Sequence, residues 1–407
     1  MQYLITDMAA STLSLKRVAQ SAELVALNSE WDMLLARLPR ATCFQRLDWL
    51  TTWWHIFVDA DNNKGRAQLW VLLLYEQEGT LVGVLPMYCQ HYRCGPLRLR
   101  VLRWLGQGHG ALTDTLGPLF VPGYEQVGMC HGLAYLAEQR GQWDVLALAH
   151  TPADLSATIR AYVHEQGWHL ITRAVMGWLA IRLPSDWTTY QRALSKNLRS
   201  NLPRYRNRLL REGRMAHVEI LTSPEAILAA LPQLFLLHRQ RAHAMNMKRH
   251  SDYFASATSR AFMLLIATML SWQRRVALAR MIVDGQVVAM QLLLFEGDGM
   301  SLYFSGFDPA WGRYSVMMLT TKASLQYAMS QGITWVDLTA GAGSQAKRQW
   351  ANEEYYKHYV LVTHNLFWNH CVRWGMRLLN LCSAIQSRMS ALKGRLRWQQ
   401  LELAKEE

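Results

Sequence analysis

The chain has 407 residues, half of them apolar, with a formal net charge of +13 and a pI near 9.6. That length exceeds one ordinary hydrophobic core and suits two domains, and the apolar content excludes disorder for the body of the chain. The positive balance points to anionic partners: nucleotide phosphates, nucleic acid, acidic glycans or an anionic membrane face.

Residues 1–20 lack the basic start and apolar run of a secretory leader. The longest apolar runs, 69–75 and 261–272, fall short of the roughly 18–20 residues that a membrane span needs. The expectation is a cytoplasmic protein, at most peripheral to the inner membrane. Residues 44–58 have helical periodicity, 69–75 read as a strand, Glu78-Gly79 as a turn and 81–88 as the returning strand. Six cysteines show no disulfide spacing, and Cys89 and Cys94 with His91 between them lack a second ligand pair, so buried thiols and no metal are expected. Seventeen tryptophans suit stacking platforms or simply fill cores.

Mid-chain, residues 194–213 carry six Lys and Arg against one acid, with Leu at helical spacing. Like charges one turn apart repel, so this helix needs an anionic partner or an acidic neighbour. Helices follow over 231–245 and 261–272, then strands 276–283 and 287–295 around Asp284-Gly285, a tight hairpin turn. The likeness of the two hairpins, EGTLVGVLP and DGQVVAMQL, suggests a duplication. A strand over 301–307, a loop over 308–314, a helix over 316–330 ended by Gly332, and a strand over 333–338 come next. Residues 340–343 form a small-residue loop, and 355–363 read as one last strand. From Asn365 the tail is a basic amphipathic helix, suited to an anionic membrane surface or to packing on the protein's own body. The whole is an α/β pattern with mixed, mainly antiparallel sheets.

Several motifs in this order carry a family resemblance: Phe44-Gln45-Arg46-Leu47-Asp48-Trp49-Leu50, Gly83-Val84-Leu85-Pro86, and Trp104-Leu105-Gly106 with Asp114 following. The basic helix, Leu237-His238-Arg239-Gln240-Arg241, Gly306-Phe307-Asp308-Pro309, Gly332, Asp337-Leu338 and Lys347-Arg348-Gln349-Trp350 complete the set. Across residues 44–362 the chain resembles the CelD/BcsL group of bacterial acyltransferase-like proteins, linked to cellulose and exopolysaccharide synthesis. That group is similar in fold to the Fem-type aminoacyl transferases. The resemblance implies tandem GNAT-like units, 1–184 and 185–364, with the tail 365–407 beyond them and the acyl chemistry in the second unit. It implies acyl-CoA, acetyl or longer, as donor and an amine or hydroxyl of a small molecule or glycan as acceptor.

On this resemblance Gly312, Arg313, Tyr314 and Ser315 are the cofactor turn, since backbone N–H groups before a helix suit a pyrophosphate. Val316 stands where the family commonly has Gly, and a β-branched residue there adds bulk against a phosphate. Acyl transfer needs a base for the acceptor and a donor for the oxyanion. Asp308, Asp337 and His238 are the candidate bases. Asp308 also suits an Asx turn, and Asp337, in a buried-looking strand, would have a raised pKa unless paired with Lys347 or Arg348. Lys347 and Trp350 are expected at the substrate, with Lys196, Arg199, Arg204 and Arg206 as an anion-binding surface. Two other readings stay open: a non-catalytic scaffold that binds a polysaccharide-synthesis partner or an anionic surface, and nucleic-acid binding through the basic helix, as an accessory protein or, Fem-like, to hold an aminoacyl-tRNA donor.

Overall fold

Apolar alternation and glycine turns build two sheets of like topology in a computed structural model that describes residues 13–59, 66–108, 112–174, 177–244, 250–340 and 344–377. The strands of the first half are β1 (Ser14–Val18), β2 (Ala67–Tyr75), β3 (Leu81–Cys94), β4 (Leu97–Trp104), β5 (Leu119–Phe120), β6 (Val145–Pro152), β7 (His169–Ala174) and β8 (Trp178–Arg182). The second half adds β9 (Ala216–Leu221), β10 (Val276–Val283), β11 (Gln286–Glu296), β12 (Gly299–Phe307), β13 (Trp335–Ala340), β14 (Glu353–Tyr355) and β15 (Lys357–Thr363). The helices are α1 (Ser21–Val25), α2 (Asn28–Ala36), α3 (Leu47–Phe57), α4 (Glu125–Glu138), α5 (Ala153–Glu165), α6 (Trp187–Ala193), α7 (Lys196–Arg211), α8 (Pro224–Ala242), α9 (Ala257–Trp272), α10 (Val316–Ser330) and α11 (Gln345–Arg348).

One sheet runs β1-β2-β3-β4-β6-β15-β7 and the other β9-β10-β11-β12-β13-β8-β14. Each holds a single parallel pair at the same place, β4 with β6 and β12 with β13, among antiparallel neighbours. Asp284 and Gly285 both have positive φ, which gives the β10–β11 hairpin the tight turn its sequence announces. The strand expected over 355–363 is divided instead. Residues 353–355 pair with β8, whereas 357–363 lie between β6 and β7 in the other sheet. The cause is a crossing of the chain at Tyr356, which is exposed between two strands that join different sheets. The exchange is reciprocal, because β8 from the first half fills the matching place beside β13.

The two sheets are not separate bodies. The core around α3 is continuous with residues of α8, α9 and β12. Phe44 and Trp49 meet Phe262 and Tyr303 edge to face at centroid separations of 4.9–5.4 Å, the geometry that ring quadrupoles favour. Beside them Arg46, 4 % exposed, contacts Asp32, Asp48 and Glu296, and Glu296 also binds Arg275 at 2.7 Å. Trp31, Trp49, Trp53, Trp70, Trp104, Trp143 and Trp178 are fully buried, so these indoles fill cores.

The basic segment forms α7, capped by the Ser195 hydroxyl, which accepts from the Leu198 N–H. Leu198, Leu202 and Leu209 are its buried stripe, and its cations face outward. The tail is helical over 366–377, and the remainder of that expected helix, like residues 341–343 of the small-residue loop and Met245, lies outside the described residues. Among the described residues no helix is long and apolar enough to cross a membrane.

Candidate active site

Strand β12 pairs with β13 only through its first three residues, Gly299, Met300 and Ser301 against Trp335, Val336 and Asp337. Beyond that point the two parallel strands part. Asp337 is the last residue of β13 paired with β12, and the chain bulges immediately after it before Ala340 pairs again with β8. Thr339 there has φ of +63°, a left-handed conformation that a β-branched residue adopts only when its surroundings impose it. The Asp337 carboxylate accepts from the Thr339 N–H at 2.6 Å, and the Lys347 Nζ donates to the Thr339 hydroxyl at 2.8 Å.

Four ionisable groups converge at this fork. Asp337 is 1 % exposed, and one of its carboxylate oxygens has no hydrogen-bond partner. Burial raises its pKa, with Lys357 and Lys347 pulling it back down. Asp114, on the loop after β4, is pushed up to about 6 by burial, against the pull of Lys347 and Lys357. Burial lowers both lysines, and the two aspartates oppose that effect. Lys357 opens β15 and lies 4.4 Å from the centre of the Trp178 ring on β8. The reciprocal strand exchange therefore carries one cation and its aromatic support into the fork.

The first unit is pinned here by two hydrogen bonds. Tyr303 on β12 donates its hydroxyl to the Leu112 carbonyl, and the Trp49 indole donates to the Thr113 hydroxyl at 3.1 Å. Both units thus supply acid to one site. Two carboxylates that desolvation pushes toward neutrality, beside two ammonium groups, can take a proton from an acceptor and stabilise a developing oxyanion.

Of the residues expected from sequence, Asp337 and Lys347 are brought together. Arg348 is turned away to Glu354 at 2.8 Å. His238 stands behind β12, its Nδ1 2.9 Å from the Ser305 carbonyl and its Nε2 within reach of the Tyr253 N–H. Those backbone contacts fix α8 against β12, where a Cβ on Gly306 would collide with the backbone of Leu237 and His238. Asp308 caps the short 3-10 helix 309–314 by accepting from the Ala310 N–H at 2.9 Å. Trp350 is buried in the second core, its carbonyl bound by the Tyr190 hydroxyl. Lys196, Arg199, Arg204 and Arg206 are exposed on α7.

The turn 312–315 leads into α10. Tyr314 is buried, with its hydroxyl on Glu212, and Arg313 pairs with the same carboxylate at 2.9 Å. Val316 does not crowd the turn as its branching suggests. Its side chain is 1 % exposed, packed inward with Phe307, Tyr314 and Val288. Ser315 instead takes the left-handed conformation, φ +53°, that opens the helix. The turn thus enters α10 through a small residue, with Val316 out of the way, and the N-terminus of a helix is a group of donors that suits an acyl-CoA pyrophosphate.

Asp114 and Lys357 escape a reading of local sequence. Asp114 has a motif neighbour in Trp104-Leu105-Gly106. Lys357 shows only as a cation on the inward side of an otherwise apolar strand.

Residues 196–358 match the model of an acetyltransferase (GNAT) domain. Among solved structures the chain is similar to FemX, with 11 % identity, 82 % of this chain and 95 % of that one covered, and a TM-score of 0.56. It is also similar to the C-terminal domain of a putative lysylphosphatidylglycerol synthetase from Agrobacterium fabrum (10 % identity, 88 % and 97 % covered, TM-score 0.47). A tandem GNAT protein of the clavulanic acid pathway matches with 10 % identity, 85 % and 98 % coverage and a TM-score of 0.43. No curated protein matches the sequence. Residues 196–358 thus match an acetyltransferase (GNAT) domain, set in a two-sheet chain that shares the fold of FemX.

Proposed function

We propose that the chain transfers an acyl group from acyl-CoA to an amine or hydroxyl of a glycan or other cell-envelope acceptor. The observation that carries this reading is the group formed by buried Asp337 and Lys357 with half-buried Asp114 and Lys347 at the fork of β12 and β13. The α10 N-terminus with Ser315 would hold the pyrophosphate, and the bound thioester supplies the electrophilic carbonyl. Asp337, supported by Asp114, takes the proton of the acceptor. The Lys347 ammonium, hydrogen-bonded to the Thr339 hydroxyl, supplies positive charge where the oxyanion develops; as the intermediate collapses the carbon–sulfur bond breaks, and CoA leaves as a thiolate that takes up the proton held by Asp337. The resemblance to the CelD/BcsL group supports an exopolysaccharide acceptor.

A second reading takes its support from the six exposed cations of α7, Lys196, Arg199, Arg204 and Arg206 among them, and from the fold shared with FemX. On that reading the donor is an aminoacyl-tRNA, held electrostatically. Calorimetry with acetyl-CoA and longer acyl-CoAs, coupled to a thiol-release assay, separates the two. Saturable micromolar binding is expected, and Asp337→Asn should keep binding while turnover falls about 100-fold or more. Absence of binding to every acyl-CoA removes the CoA mechanism and leaves the tRNA donor or a scaffold without chemistry.

A further inference from the structure

On the outer side of α11 lies a cavity of about 600 Å³, walled by α6, the first half of α7 and residues 345–352. Its size suits an organic ligand of two sugar rings. Its chemistry is unusual for so basic a face. Five of its thirteen lining residues are carboxamides, Asn197 and Asn201 from α7 and Gln345, Gln349 and Asn352 from the far wall, and no described lining residue is a carboxylate. Tyr205 adds ring surface, the buried Trp350 lies beneath the wall, and the Arg348 guanidinium is held by Glu354.

A carboxamide both donates and accepts, as a hydroxyl does, so amides set around an aromatic ring match a polyhydroxylated ring. A polyphosphate would call for uncommitted cations in the wall, and the wall's own Arg348 is neutralised. The position is also informative. α11 is one turn long, and Lys347 leaves its inner side for Thr339 while Gln345 and Arg348 face the cavity. A ligand in the cavity is one helical turn from the charged fork.

We propose that this cavity binds a saccharide, and that the saccharide is the acceptor, or part of it; the second clause rests on the acyl-transfer reading above. The test is saturation-transfer NMR on the full chain with glucosamine, N-acetylglucosamine, cellobiose and the glucosamine disaccharide. At least one sugar should show transfer. Asn201→Leu should weaken it about tenfold, as expected for a lost buried hydrogen bond. Gln345→Ala, at an exposed position that folding does not depend on, should weaken it in the same direction. Asp337→Asn should leave it intact. No transfer to any of the four sugars, or transfer that neither cavity variant changes, overturns the assignment. Sugar binding in a protein that moves no acyl group leaves the cavity assignment standing and overturns only its role as acceptor site.

Discussion

At the scale of single residues, the site depends on groups held away from their ordinary protonation. Asp114, pushed up to about 6, is a base only above that pH, so kcat/KM should climb as pH rises from 5 to 7. Burial lowers Lys347 and Lys357, so the same profile should fall again on the alkaline side as their charge is lost. The two limbs belong to the coupled group, and Asp114→Asn should displace the acid limb in a pH–rate profile. For folding the sign is the opposite: a carboxyl with a raised pKa favours the native state at low pH, and that contribution disappears as pH rises through 6. Gly306 is a second sensitive point, because a Cβ there meets the backbone of α8. Gly306→Ala should cost about 1–3 kcal/mol or more in urea unfolding. That Asp337 would stand near a lysine was legible in sequence, since an acid inside an apolar strand calls for a cation nearby. The roles of Asp114 and Lys357 were not: the cations facing Asp114 lie more than two hundred residues on, and Lys357 reaches Asp337 only because the chain crosses between sheets at Tyr356. Val316 misled for a related reason. Its type says nothing about which side of the turn it faces.

At the scale of elements, the segment 43–49 explains its own composition. Arg46 enters the interface between α3 and the β11–β12 hairpin with three carboxylates around it, and the Cys43 thiol donates to the Phe295 carbonyl at 2.9 Å. Removing one partner of a buried ion pair leaves the other charge desolvated, so Arg46→Met should destabilise by about 3–5 kcal/mol in denaturant titration. The double variant Arg46→Met/Glu296→Met should recover part of that loss, since the remaining acids Asp32 and Asp48 reach solvent. Hairpins were the easiest elements to read, because glycine at positive φ between alternating strands leaves few other outcomes. The division of 353–363 was hidden. Its residues are strand-like throughout, and which sheet each part joins is decided by tertiary pairing alone.

At the scale of the whole molecule, neither sheet is complete without the other half of the sequence. A chain ending at residue 356 would lack β15 and leave β6 and β7 with unpaired inner edges. Exposed edges of that kind template association, so this fragment should elute as aggregates in size-exclusion chromatography, whereas the full chain should unfold in one transition by circular dichroism. Synthesis on the ribosome meets the same geometry in time. When β7 leaves the exit tunnel, the strand that will separate it from β6 is still roughly 190 residues from being made. At ordinary elongation rates that interval is about 10–40 s, long compared with collapse of a chain this size. During it the nascent first half must keep a sheet-wide slot open, so the yield of folded protein should respond to translation speed and to chaperones that cover strand edges.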